Sequence, residues 1–336
     1  MLDLSQTINL PLFFGGVIAL ATFLYVLLDG FDLGVGIIFP FAPSDECRSK
    51  MMNSVAPFWD GNETWLVLGG IILFAAFPFA YSTIMPAFYI PIILMLLGLI
   101  FRGVALEFRS KTESKNEQRI WDYSFHFGSL IATFFQGVML GSFIFGSVGC
   151  KGNSFCWFNA FSIMTGIALI CGYALIGSTW LVMKTHGKTQ DWARNVAFYV
   201  LAFVAFFIAV VSGWTPFIND YLLNRWFSKP NIYYLAPIPL LTLLVLFLLI
   251  CGLLQKNEKS PFFLTIILFT LCYAGIAISL FPYILPYQLT IYNVAASPAS
   301  LSFLFVGVVI ILPIILTYTA FSYYVFRGKS SHEAMY

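Results

Sequence analysis

Long apolar runs separated by short polar stretches dominate the chain. Nine of them reach the roughly 20 mostly apolar residues that a transmembrane helix needs: about 9–39, 62–82, 86–107, 123–147, 160–183, 195–217, 233–254, 262–284 and 302–326. Only helices and closed barrels satisfy the backbone in lipid. A barrel would show short alternating segments, so runs this continuous predict helices. The first run is too long for one simple crossing, so its C-terminal part must tilt, bend or emerge. Only a short turn around Ser82–Pro86 separates the second run from the third. The N-terminal stretch carries Asp3, no basic segment and no small-residue cleavage site, which predicts a retained first span. The longest loops, 40–61, 108–122, 148–159, 218–232 and 285–301, leave no room for a soluble domain. Residues 1–336 therefore read as a single transmembrane domain of an all-α polytopic membrane protein.

Composition strengthens this reading and removes others. Of the 336 residues, 60% are apolar and 10% charged, against about 25% charged in an ordinary soluble domain. A formal net charge of +2 offers no basic footprint for nucleic acid. Six cysteines form no CxxC pair, which argues against zinc or thioredoxin-type chemistry. Only three histidines are present, His126, His186 and His332.

The basic residues set an expected orientation. Arg48, Lys50, Arg102, Arg109, Lys111, Lys115, Arg119, Lys184, Lys188, Arg194, Lys256, Lys259, Arg327 and Lys329 fall at the ends of spans 1, 3, 5, 7 and 9. They are 14 of the 17; Lys151, Arg225 and Lys229 fall on the other side. The N-terminus is expected outside and the C-terminus in the cytoplasm. The outer loop would then hold Cys150 and Cys156 in an oxidising compartment, as a short disulfide or as two thiols.

Ionisable residues at membrane depth are costly and become functional candidates. The first group is Leu28-Asp29-Gly30-Phe31-Asp32-Leu33-Gly34. Asp29 and Asp32 are three apart and share a helix face; Gly30 and Gly34 would let another backbone approach closely. The pair is either an interfacial carboxylate pair in headgroup water or a proton or cation relay. The second group, Trp59-Asp60-Gly61-Asn62-Glu63-Thr64-Trp65, opens the second span. Trp59 and Trp65 fit an aromatic belt. Asp60 and Glu63 are close carboxylates that cannot both ionise cheaply in low dielectric, as a proton carrier requires.

The third group, Phe101-Arg102-Gly103-Val104-Ala105-Leu106-Glu107-Phe108-Arg109, closes the third span. Arg102 and Arg109, seven apart, either neutralise the carboxylates or anchor the span as positive-inside residues. By the loop count all three groups lie toward the cytoplasm, where they can meet as a proton uptake site. No pair of intramembrane histidines is set up to ligate a haem, and Met139, Met164 and Met183 suit core filling better than ligation. This chain alone is not expected to hold a redox centre or a metal.

The blocks LLDGFDLGVG, NSVAPFWDGNETWLVLGG and FRGVALEFRSK, in that order and spacing, resemble subunit II of cytochrome bd-type quinol oxidases. More narrowly they resemble the shorter cyanide-insensitive type. The match is strongest over about 20–125. The resemblance implies two four-helix bundles plus a peripheral helix. It also implies a partner subunit I carrying haem b, haem d and the quinol-oxidation loop, and a small single-span accessory subunit. Quinol and dioxygen would be substrates of the complex in the bacterial inner membrane. By the same resemblance Asp29, Asp32 and Asp60 fall on acids tied to cytoplasmic proton delivery, and Glu63 on a position where some relatives carry glutamine. Some members hold a structural quinone, for which no motif stands out here. Two further readings compete: an ion-coupled secondary transporter, which would show inverted repeats, and a purely structural assembly subunit.

Overall fold

A computed structural model describes residues 8–148 and 155–330. Cys150, Lys151 and His332 lie outside the described residues, and with Cys150 the choice between a disulfide and two thiols. The helices are α1 (Leu10–Ile38), α2 (Asp45–Val55), α3 (Trp59–Ala76), α4 (Pro78–Ala87), α5 (Tyr89–Phe108), α6 (Lys115–Phe145) and α7 (Ala160–Lys184). They continue as α8 (Lys188–Trp214), α9 (Asp220–Phe227), α10 (Asn231–Leu235), α11 (Pro237–Leu254), α12 (Ser260–Leu280) and α13 (Pro298–Val325). A small hairpin, β1 (Tyr283–Leu285) with β2 (Leu289–Thr290), joins the last two.

Local signals set the helix ends. The side chain of Asn9 caps α1 by accepting from the Leu12 amide at 3.2 Å, and the helix stops before Phe39-Pro40, where proline forbids continuation. Its 29 residues give about 43 Å at 1.5 Å per residue, more than the roughly 30 Å of hydrocarbon. The last ten, Asp29–Ile38, are buried without interruption, so the excess length is enclosed by protein. At the end of α6, Gly146 adopts φ +80°, and the amides of Gly146 and Ser147 close the last turn on Phe143 and Ser142. That left-handed cap favours glycine. α6 begins eight residues before the predicted 123, because its polar first turns form helix without contributing hydropathy. The 40–61 loop contains α2, capped by Ser44 and burying Cys47, Met51 and Met52.

Eight helices among the described residues are long and apolar enough to cross a membrane. The expected second span, 62–82, differs: it is α3, broken from α4 at Phe77-Pro78. Asp60, Asn62 and Glu63 make its first half too polar to qualify by composition. It nevertheless traverses the bundle, since its far end at Ala76 accepts a hydrogen bond from the Ala296 amide at 2.8 Å.

α1, α3, α5 and α6 form one group of neighbours and α7, α8, α11 and α12 a second, joined where α7 packs on α1 and α6; α13 touches α1 and α3 from outside. The joint is built from glycine. A Cβ at Gly34 would collide with the backbone of Tyr173, and one at Gly177 with that of Gly34 and Val35. Gly30, one turn earlier, leaves room for the Tyr173 ring. The close approach expected of Gly30 and Gly34 is therefore made, by α7.

One end of the bundle collects the basic loops. There Lys184 donates to the carbonyls of Phe326 (2.5 Å) and Gly328 (2.9 Å), Arg194 to that of Asn257 (2.9 Å), and Lys329 pairs with Glu258 (2.8 Å). The opposite end is tied by Tyr287 to the carbonyl of Ile144 (2.7 Å) and by Gln288 to that of Val148 (2.9 Å).

Candidate functional site

Near the basic end, α1, α3 and α5 bring charged side chains into the protein interior. α1 supplies Asp29 and Asp32, both fully buried; α5 supplies Arg102, also fully buried. Nη2 of Arg102 donates to Asp29 Oδ1 at 2.7 Å and to Glu63 Oε1 at 2.5 Å. Glu63, on α3, keeps 28% of its side chain exposed and so connects the buried pair to the outside. The ring of Trp59 lies under the guanidinium at 5.8 Å, a cation–π distance, and Gly103 leaves it room.

Asp32 takes no part in that ion pair. Its Oδ2 accepts from Asn62 Nδ2 at 2.8 Å. The same nitrogen donates to the carbonyl of Leu28 at 3.1 Å, and Asn62 Oδ1 accepts from the Tyr323 hydroxyl at 3.0 Å. Beyond Asp29, Gln136 of α6 links two buried tyrosines: it donates to Tyr25 at 2.7 Å and accepts from Tyr173 at 3.0 Å. Asp29 Oδ2, Asp32 Oδ1, and Nε and Nη1 of Arg102 are buried without a hydrogen-bond partner among the described residues. Such atoms are rare in a merely structural core and carry a desolvation cost.

The charge count follows from chemistry. A guanidinium keeps its proton in proteins. Three carboxylates around one guanidinium are electroneutral only when two of them carry protons.

Several predicted residues are placed elsewhere. Asp60 is exposed on the first turn of α3, outside the buried group. Trp65 is fully buried against Ala21 and Tyr25, not in an interfacial belt. Glu107 is exposed and pairs loosely with Lys111 at 3.5 Å. Both arginines pair with carboxylates, but at different places. Arg102 neutralises carboxylates, whereas Arg109 lies just beyond α5, pairs with Asp122 and reaches Ser49 at 3.4 Å. Asn62, Tyr323, Gln136, Tyr25 and Tyr173 were missed. Asn62 stands inside the second quoted block; the others sit in apolar runs where one hydroxyl or amide carries no local signal.

The fit to a haem is poor. Nδ1 of His126 lies 3.2 Å from the carbonyl of Gly36, between Phe41 and Phe127, and His186 is exposed before α8. These two histidines face different surroundings. Among the described residues, no three histidine, cysteine or acidic side chains gather as a metal site.

Known proteins share this sequence and fold. The family profile for cytochrome bd terminal oxidase subunit II matches residues 10–326. The chain is 31% identical to cytochrome bd ubiquinol oxidase subunit 2 of Bacillus subtilis over 323 residues, covering 92% of this chain and 93% of that protein. It is 29% identical to cytochrome bd-I ubiquinol oxidase subunit 2 of Escherichia coli over 360 residues, covering 92% of each. A solved structure of bd oxidase from Geobacillus thermodenitrificans shares the fold, with a TM-score of 0.74 over 95% of this chain and 99% of that one at 16% identity. The chain therefore belongs to the cytochrome bd terminal oxidase subunit II family and is a multi-pass membrane subunit of an oxidase of that kind.

Proposed function

We propose that this chain is the haem-free subunit of a quinol:oxygen oxidoreductase in the bacterial inner membrane, and that it stabilises the haem-bearing subunit I and feeds it protons from the cytoplasm. Haems b and d, assigned to subunit I by the family resemblance, supply electron transfer and dioxygen reduction; the hydrogen bond of His126 to a backbone carbonyl and the exposure of His186 support that assignment. Membrane lipids, a small accessory subunit and a structural quinone are further expected partners.

The observation that carries the reading is the shared nitrogen of Arg102. Glu63, partly exposed, and Asp29, fully buried, both contact Nη2, so their oxygens stand within two hydrogen-bond lengths of each other. Reduction of dioxygen to water consumes one proton for each electron. A proton collected at the rim by Asp60 would pass to Glu63, then to Asp29 and Asp32 on α1. Arg102 stays protonated throughout and keeps the acids in place. The basic loops around the site support a cytoplasmic position.

The test uses the complete complex. Glu63→Gln and Asp29→Asn should slow quinol-driven oxygen consumption while the optical spectrum of the haems stays near normal. Wild-type turnover in both variants refutes proton delivery; loss of the haem spectrum together with activity favours a purely structural role.

A further inference from the structure

We propose that Tyr323, on the outermost helix α13, is a positioning residue that sets the hydrogen bond of Asp32 through Asn62. This rests on the proton-delivery reading above and extends it to a helix that sequence alone leaves peripheral.

An asparagine amide has two donors and one acceptor atom, and its orientation is decided by its neighbours. Here the Tyr323 hydroxyl donates to Oδ1 at 3.0 Å, while Nδ2 donates to Asp32 Oδ2 at 2.8 Å and to the carbonyl of Leu28 at 3.1 Å. If the amide turned over, its oxygen would face a carboxylate and a carbonyl, and its NH2 would face the tyrosine. The carbonyl and the carboxylate thus set which end of the amide faces Asp32, and the Tyr323 hydroxyl, donating to Oδ1 from the far side, anchors the amide so that Nδ2 stays on the acid. Among the described residues Asn62 alone makes a side-chain hydrogen bond to Asp32, whose other oxygen is buried without a partner.

Tyr323 is itself held rigidly. Its ring stacks on Phe58 at 4.5 Å and meets Phe31 edge-on at 6.3 Å. Three residues later the chain is clamped by Lys184 on the carbonyl of Phe326. The charged and titratable groups facing Asp32 are Asp29 of its own helix, Glu63 of α3 and Arg102 of α5. Tyr323 of α13 lies within electrostatic reach of Asp32, but its hydrogen bond goes to Asn62 and not to the acid. A hydroxyl fixed this firmly can hold the amide without touching the acid.

The test is Tyr323→Phe in the complete complex, which keeps the stacked ring and removes one hydroxyl. The readouts are the infrared carboxyl band of Asp32, identified by its loss in Asp32→Asn, and the pH profile of oxygen consumption. Tyr323→Phe is expected to shift the band, displace the pH profile and slow turnover by about threefold to tenfold, the scale of one lost hydrogen bond. In an Asn62→Leu background the same change should add nothing, because the coupling runs through Asn62. An unmoved band, or an equal effect in the Asn62→Leu background, overturns the proposal. A shifted band with an unmoved pH profile supports positioning by Tyr323 and overturns proton delivery by Asp32. Should Tyr323→Phe fail to assemble, Asn62→Leu alone must shift the Asp32 band, or the proposal falls.

Discussion

Arg102 and Asp29 meet at 2.7 Å with neither side chain exposed, although 73 positions separate them in the chain. The contact joins α5 to α1 across the middle of the first helix group and holds Glu63 on the same nitrogen. Breaking a buried pair from one side is costly because the other charge is left alone.

Arg102→Gln should therefore cost about 3–5 kcal/mol of stability and remove most assembled complex from the membrane. Asp29→Asn leaves the guanidinium its Glu63 partner and should assemble. Quantifying both subunits in isolated membranes checks the contrast.

Glu63 and Asp60 should separate by burial. Glu63→Gln removes the only partly exposed acid on Arg102 and should slow turnover about tenfold, roughly 1.4 kcal/mol of barrier. Asp60→Asn, on the exposed rim, should slow it about twofold at most, and concentrated mobile buffer should erase the difference. Equal, buffer-insensitive losses would make Asp60 an obligatory step of the path and not a collector that buffer can replace.

The glycine joint between α1 and α7 offers a stability test away from the acids. Gly34→Ala and Gly177→Ala each force backbones apart and should cost about 1–3 kcal/mol. Because both act on one contact, the double variant should cost less than the sum. Thermal unfolding of the purified complex, followed by haem absorbance, measures all three.

Lys184 clamps the C-terminal segment through two carbonyls and lies over the rings of Phe58 and Trp180 at 5.5 and 5.1 Å. Lys184→Met keeps the stem and removes the donors, at about 1.5–3 kcal/mol for hydrogen bonds to a charged group. Protease should then cut 326–330 faster, with α13 intact.

The same segment has an acid limit. Glu258 accepts a hydrogen bond from Lys329 at 2.8 Å, which with the nearby Gln190 amide holds its carboxyl below the usual carboxylate value. A depressed folded value contributes stability above the unfolded value of about 4.3 and loses it as pH falls through the folded one. Proteolysis of the tail should accelerate only below about pH 4, and Glu258→Gln should abolish that acid dependence.

Hydropathy and charge determined a great deal unaided. Apolar runs long enough for lipid must become helices, so α1, α5 to α8 and α11 to α13 were legible, with ends misplaced by up to eight residues where polar first turns add no hydropathy. The acids of the first two blocks stood out because carboxylates do not belong at that depth. The family followed from the same three blocks. What the linear pattern could not contain is the rotation and depth of one helix against another. That decided that Arg102 pairs while Arg109 turns to Asp122, and that Asp60 stays outside. It also decided that Asn62 is fixed by Tyr323 from 261 positions away. Each of these contacts lies between different helices, and helices separated by long stretches of chain are aligned by close glycine contacts such as Gly34 on Gly177. A partner several helices away leaves no local trace in composition or period, so only the tertiary structure could name it.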